Sequence, residues 1–318
     1  MAIGRFRVGS NGPSLMDLFF KKEGLVKESN CNRRSWFASA GVLALSVLAA
    51  NVSLGDVFYV ADEARLVKIS PDGVPTVLIK EPDRGFQDPI GIAIDDTGNL
   101  YLSNRNGVDI QKVTPNGDVS VFISTHVQAS GVATDRHNNV YLAEPLGNTI
   151  LKVTPSGVPT VLTDQVNRPR SIAVDSAGNV FSSNWDNTVS KITASGSVST
   201  IASGINGASG IALNGDGNVY VGDFGDHSVL RIAPDGTVTT FASGLDSPAD
   251  IVFGSNGDLY VLNLNTVNEI TPNGVVMPFA SGLVFAKSIA AQSIPEPSVG
   301  MALGLFGIGF LSRSRARR

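Results

Sequence analysis

The sequence predicts an all-β fold, a closed ring of six four-stranded antiparallel sheets, on three observations. Between Ala208 and Gly244 four short runs, at 210–213, 218–222, 228–233 and 237–242, are rich in β-branched, aliphatic or aromatic residues. Gly, Asn, Asp or Pro clusters separate them, which is the signature of consecutive hairpins. The same pattern then recurs along the chain. The Ile or Val of the first strand stands at Ile92, Val132, Ile172, Ile211, Ile251 and Ile289, and the aromatic of the second strand at Tyr59, Tyr101, Tyr141, Phe181, Tyr220 and Tyr260. A period of about forty residues marks stacked units that bury their faces against one another. Finally, the strand count closes. The copy that starts near Val57 lacks a first strand, while the last copy is only a first strand, at 288–292, so the two make one sheet. The result is a six-bladed β-propeller whose first blade is completed by the C-terminal strand, which removes the open seam.

Each unit carries its own turn chemistry. Between the third and fourth strands stand Pro71-Asp72-Gly73, Pro115-Asn116-Gly117, Pro155-Ser156-Gly157, Ala194-Ser195-Gly196, Pro234-Asp235-Gly236 and Pro272-Asn273-Gly274. A tight hairpin needs one residue at positive φ, and Gly supplies it without steric cost. The propeller occupies 56–292 and is flanked by a leader at 1–55 and a tail at 293–318.

Formal net charge is −4 for 318 residues, but its distribution is uneven. Residues 56–292 hold 13 Lys and Arg against 24 Asp and Glu, a net charge of −11, so both ends are basic. An acidic propeller argues against a nucleic-acid partner, because phosphate neutralisation needs a Lys/Arg surface. The single cysteine, Cys31, precedes the propeller and forms no intramolecular disulfide.

The termini carry the localisation signals. Asn32-Arg33-Arg34 precedes an apolar run at 36–50 and a small-residue exit around Ala49, Ala50 and Gly55. This order predicts a secretory signal peptide, with the mature chain starting between Asn51 and Asp56. The arginine pair also fits a twin-arginine signal, and a start at Met16 instead of Met1 would explain the leader's length. At the other end, Pro295-Glu296-Pro297 is followed by an apolar run at 299–311 and an Arg-rich end at 312–318. This tail resembles the PEP-CTERM sorting signal, with Pro295, Glu296 and Pro297 in the motif positions. The resemblance implies export machinery and an exosortase-type sorting enzyme as partners, transient membrane insertion of the tail, and delivery to the cell surface or extracellular matrix. A plain C-terminal anchor is the alternative.

The repeats resemble NHL repeats, through their Gly-Ile-Ala and Gly-Asn-Val-Tyr stretches and the segment from Asp223 to Ile232. Propellers of this kind include binding scaffolds, sensor domains, lactonases of the gluconolactonase type and lyases of cyclic peptides.

Two sets of candidate site residues follow. After the second strand of each blade stands a polar residue: Asp62, Asn104, Glu144, Asn184, Asp223 and Asn263. Brought to one level, three carboxylates and three amides form a ligand set for Ca²⁺ or another divalent cation. The competing reading is that each caps its own turn, as Asp and Asn do. The second set comes from positions that vary between blades. Before the first strand stand Ile90, Ser130, Arg170, Ser209, Ala249 and Lys287, of which Arg170 and Lys287 suit an anionic sugar or carboxylate. Trp185, in the polar loop Asn184-Trp185-Asp186-Asn187, suits stacking on a sugar or peptide. His126, His137 and His227 occupy three different positions of the repeat and do not form a shared metal site. No catalytic residue is assigned. The expectation is a secreted, non-catalytic binding module that engages extracellular polysaccharide or protein; the alternative is a metal-dependent lactonase or lyase.

Overall fold

The computed structural model describes residues 55–63, 65–80, 88–105, 107–125 and 128–293. The chain divides into two units, Met1–Val52 and Ser53–Arg318, and the described residues all belong to the second. The leader, the Pro295-Glu296-Pro297 motif and the Arg-rich end lie outside them.

Among the described residues there are six four-stranded antiparallel sheets. The first blade is built from β1 (Val57–Asp62), β2 (Arg65–Ile69) and β3 (Pro75–Lys80), with β24 (Ala286–Gln292) as its innermost strand. The second contains β4 (Pro89–Ile94), β5 (Leu100–Asn104), β6 (Asp109–Val113) and β7 (Val119–Ser124). In the third follow β8 (Val132–Thr134), β9 (Val140–Glu144), β10 (Thr149–Val153) and β11 (Pro159–Thr163). The fourth holds β12 (Pro169–Val174), β13 (Val180–Asn184), β14 (Thr188–Ile192) and β15 (Val198–Ser203). The fifth holds β16 (Ala208–Leu213), β17 (Val219–Asp223), β18 (Ser228–Ile232) and β19 (Val238–Ser243). The sixth closes the series with β20 (Asp250–Phe253), β21 (Leu259–Leu262), β22 (Thr266–Ile270) and β23 (Val276–Ser281).

Closure occurs as the repeat count predicts. β24 pairs with β1 from Val57 opposite Gln292 to Asp62 opposite Ala286, beginning two residues earlier than the sequence pattern suggests. The innermost strands then run from blade to blade in a complete ring, with β24 packed on both β20 and β4. Their approach is close because the facing positions are small. A Cβ on Gly131 would lie 2.8 Å from the Arg170 carbonyl oxygen, and one on Gly210 2.4 Å from the Asp250 Cα. Serines stitch the same ring: Ser130 Oγ donates to the Arg170 carbonyl (2.8 Å) and Ser209 Oγ to the Pro248 carbonyl (2.7 Å).

The core consists of layers between blades, since alternate residues of each strand face opposite neighbours. One layer joins Leu66 and Ile79 of the first blade to Leu100 and Leu102 of the second. The next joins Tyr101 to Val132 and Leu142. The repeated tyrosines also make a polar tie. Asp95 and Asp135 accept main-chain N–H groups of their own hairpins while Tyr101 and Tyr141 donate to their second oxygens, at 3.1 and 3.2 Å. Burial and the adjacent carboxylate both raise the phenol of Tyr101 above its ordinary pKa. In the first blade the hairpin is missing because its inner strand comes from the other end of the chain, and Gln292 takes the aspartate's place, accepting from Tyr59 at 3.1 Å.

Candidate functional site

The inner strands enclose a cavity of about 1000 Å³ along the ring axis. Its wall is apolar or glycine-rich, with side chains such as Ile92, Val132, Ile172, Ile211 and Ile251. Its chemistry is concentrated at one mouth, where the loops between second and third strands meet the segments that lead into the inner strands.

Those loops separate two adjacent positions. The repeated polar residue is buried in every blade: Asp62, Asn104, Glu144, Asn184, Asp223 and Asn263 are all 5% exposed or less, and none of them lines the cavity. Asp62 accepts the Val284 N–H at 3.0 Å and pairs with Arg65. Asp223 accepts the Asp226 N–H at 3.2 Å. Asn184 donates to Thr188 Oγ1 (2.9 Å) and Ser190 Oγ (2.8 Å), and accepts from Ser182 Oγ (2.8 Å). Asn263 donates to Asn268 Oδ1 at 2.7 Å, and Asn104 to the Asp109 carbonyl at 3.5 Å. Asp223 thus caps its own turn, Asp62 ties its blade to the segment that leads into β24, and the amides are held by hydroxyl, amide or carbonyl partners of their own blade. Burial raises the pKa of both Asp62 and Asp223, with hydrogen bonds from main-chain N–H groups opposing it. Among the described residues no three His, Cys, Asp or Glu side chains are grouped as metal ligands.

The next residue faces the mouth. Glu63, Arg105, Trp185, Phe224 and Leu264 all line the cavity, so one side chain per blade reaches it except from the third, where the position is Pro145. A second contribution comes from the segments that lead into five of the six inner strands. Asp88, Arg168, Gly207, Ser247 and Phe285 all adopt left-handed φ, between 48° and 87°. For a residue with a Cβ, and above all before proline, that conformation is strained and must be held by its surroundings. In four of these five the holder is a repeated clasp. Asn148 Oδ1 accepts the Arg168 N–H, Asn187 Oδ1 the Gly207 N–H, and Asn265 Oδ1 the Phe285 N–H. In the fifth blade His227 replaces the asparagine and accepts the Ser247 N–H on Nδ1 at 3.3 Å, which gives this histidine a structural task.

Arg170, Trp185 and Lys287 all line the cavity. The Arg170 guanidinium carbon lies 4.7 Å from the Trp185 ring centre, that of Arg168 lies 5.9 Å from it, and the indole remains 51% exposed. Arg170 Nη1 also donates to the Ala208 carbonyl at 3.1 Å, bridging the fourth blade to the fifth. Across the mouth, Asp88 is paired with both Lys287 and Arg105, the latter at 3.2 Å. The mouth is therefore two-sided. Trp185, Phe224, Leu264 and Phe285 form an apolar arc on the fourth to sixth blades and the entry to β24, and Glu63, Asp88, Arg105 and Lys287 form a charged sector on the other side.

Asp250 has no counterpart in the sequence-derived set. Its equivalents are Gly91, Gly131, Ser171, Gly210 and Ser288, so a carboxylate here breaks a run of glycine and serine. Its Oδ2 accepts from Ser288 Oγ (2.6 Å) and the Ile289 N–H (3.0 Å), which ties the sixth blade to the closing strand. Burial pushes its pKa up to about 6, against these hydrogen bonds and the positive charge of Arg170. Arg170 is itself shifted down by burial, so for both groups desolvation outweighs their mutual attraction. Besides Asp250, the sequence reading missed Asp88, Arg105, Phe224 and Phe285. The signal for two of them was the variability of the residue following the repeated polar position.

No protein-family model and no curated protein sequence matches the chain. Similar solved structures are of several kinds. A chain of a nidogen/laminin complex is 17% identical with a TM-score of 0.68, over 76% of this chain and all of that one. A streptogramin B lyase is 15% identical with a TM-score of 0.60, over 74% and 83% of the two chains. A gluconolactonase from Xanthomonas campestris is 17% identical with a TM-score of 0.60, over 73% and 87%. At this identity the likeness is one of fold, which hosts both binding and catalysis.

Proposed function

We propose that the chain is an exported, NHL-like propeller that acts as a non-catalytic binding module, directed to the cell surface by its PEP-CTERM-like tail, and that its ligand seats at the two-sided mouth. The observation that carries this reading is the stacking of Arg170 on Trp185 at a mouth whose opposite side holds Lys287 and Arg105. In a propeller whose 56–292 segment carries a net −11, four of its thirteen basic residues, Arg105, Arg168, Arg170 and Lys287, gather at this one opening. An opening of this composition favours an anionic ligand with an apolar face, such as an acidic polysaccharide or the carboxylate end of a peptide. Catalysis by the lactonase or lyase route is the less supported alternative, because Asp62 and Asp223 already accept main-chain N–H groups and none of the repeated polar residues lines the axial cavity.

Polygalacturonate and a neutral polysaccharide of similar length, titrated against the protein by calorimetry, test this reading. Binding should be confined to the acidic polymer, weaken as salt rises, and fall at least tenfold in Arg170→Gln. Calcium-dependent hydrolysis of a lactone by the unmodified protein would show that the non-catalytic reading is wrong.

A further inference from the structure

One junction of the ring is unlike the other five. In each blade the fourth strand carries an apolar residue that packs towards its neighbour: Phe122, Leu162, Ile201, Phe241 and Phe279 are all half-buried, but their equivalent in the first blade, Leu78, is 46% exposed. The second-strand aromatics are fully buried in five blades, and only Tyr59 of the first blade is half-buried. The turn glycines of most blades back onto the fourth strand of the preceding one. A Cβ on Gly73 would lie 2.2 Å from the Phe279 carbonyl and one on Gly274 2.6 Å from that of Phe241, but one on Gly117 would meet no heavy atom within 4 Å. Gly236 is open too, yet there Ile201 stays covered. The outcome is a cleft of about 630 Å³ between the first and second blades, walled by Tyr59, Val77, Leu78, Leu100, Pro115 and Gly117.

We propose that this cleft is the docking groove for the chain's own continuation, residues 294–298, Ile-Pro-Glu-Pro-Ser. Three observations select this occupant. The chain leaves β24 at the cleft, for Gln292 is hydrogen-bonded to Tyr59, and its amide lies 3.1 Å from where a Cβ on the cleft residue Gly98 would stand. The charges match as well. Lys68 and Lys80 line the cleft of an otherwise acidic propeller, and Glu296 follows Gln292 by four residues. An extended chain covers about 13 Å in that distance, and Lys68, directly opposite Tyr59 in the β1–β2 ladder with its ammonium 6.0 Å from the ring centre, is within it. The segment's chemistry also suits an aromatic-walled groove. Two prolines hold it extended, lower the entropy lost on docking and need no ladder partner for their nitrogens. Ile294 and Pro295 cover the apolar wall while Glu296 meets the lysines. The cleft is therefore open because the blade that lacks a sequence-contiguous first strand leaves its outer packing to the tail.

Disulfide trapping in the full chain tests the proposal, with Cys31→Ser removing the native thiol. One variant carries Leu78→Cys with Ser298→Cys. The other carries Asn256→Cys with Ser298→Cys; Asn256 sits in the β20–β21 turn on the opposite side of the closing strand, beside the Ser255 N–H that bonds Asp56, the residue preceding the Val57 partner of Gln292. Leu78 and Asn256 are both exposed, and circular dichroism of each variant checks that the fold is kept. A docked tail gives at least tenfold more crosslink to position 78 than to 256, and adding Glu296→Lys to the first variant removes that preference. Equal yields from the two pairs, or a preference untouched by Glu296→Lys, would overturn the proposal.

Discussion

At the end of the second strand, each blade carries one residue that is short or acidic, polar and buried, followed in every blade but the third by one that faces the mouth. Asn184 and Trp185 are the clearest pair. Asn184 holds three hydroxyl groups within its own blade, while Trp185 keeps half its surface in water above a shared cavity. The two are one bond apart in sequence and serve opposite ends. A residue that recurs in every unit is part of what makes the unit fold, so its side chain is spent on local hydrogen bonds. A residue free to differ is the one that can be unlike its neighbours, which a binding site requires. The contrast separates changes expected to cost stability from those expected to cost only ligand.

Asp250 is the sharpest test, because it varies between blades yet is buried like a repeated residue. Its folded pKa, about 6, is raised above the ordinary 3.8 by burial. A raised acid binds its proton more tightly in the native state, so its contribution to stability is complete below about pH 4 and is lost as pH climbs to about 6. A shift of that size corresponds to about 3 kcal/mol at most. Unfolding free energies of the wild type and Asp250→Asn, measured by denaturant titration from pH 3.5 to 7.5, should therefore differ in slope between pH 4 and 6, the wild type falling more steeply. Asp62 and Asp223 contribute in the same direction and the lowered Asp95 and Asp135 in the opposite one, which is why the difference curve is the measurement. Parallel curves would mean that Asp250 is better solvated than its surroundings indicate.

Replacing the repeated residue itself should have the next largest effect. Asn184→Ala leaves Thr188, Ser190 and Ser182 short of a partner and opens a small void, at a cost of about 2 kcal/mol. The midpoint of thermal unfolding should drop by a few degrees, while affinity for an acidic ligand at a temperature where the variant is folded stays within twofold. A drop in affinity with unchanged stability would reverse the roles of the two positions.

The division between frame and mouth also explains what was legible beforehand. Repetition is a property of the string, so the blade count, the closure by 288–292, and the turn glycines, such as Gly73 and Gly236 with φ of 80° and 86°, could all be read from spacing. Where a repeated side chain points is decided by strand pleat and turn geometry. Asp62 to Asn263 therefore read equally well as an axial ring or as turn caps, and only their hydrogen bonds distinguish the two. Asp88 and Phe285 were illegible for another reason, since both reach the mouth through left-handed backbone, which in Phe285 is held by a clasp from Asn265 in another loop. Gln292 replacing the hairpin aspartate shows the same limit: its partner, Tyr59, is more than two hundred residues away.

The smallest effect on stability belongs to Trp185. Its ring is 51% exposed and its neighbours at the mouth are the guanidinium groups of Arg168 and Arg170, so Trp185→Ala removes a partly solvated cation–π contact of about 0.5 to 1 kcal/mol and no closely packed core. The loss is partly returned, because Arg170, now shifted down by burial, gains water around its charge. The unfolding midpoint should therefore change by about a degree or two, within the range of ordinary surface substitutions. Trp185 is also the one tryptophan of residues 56–292, so its emission reports on the mouth alone once the leader, with Trp36, is absent. Iodide should quench it readily in the free protein, drawn by the two arginines as well as by the exposure of the ring. An acidic polysaccharide seated on the same arginines should protect it, and the protection should vanish in Arg170→Gln. Emission that iodide cannot reach, or that a bound acidic ligand leaves unprotected, would place the ligand elsewhere on the ring and remove Trp185 from the site while leaving its structural account intact.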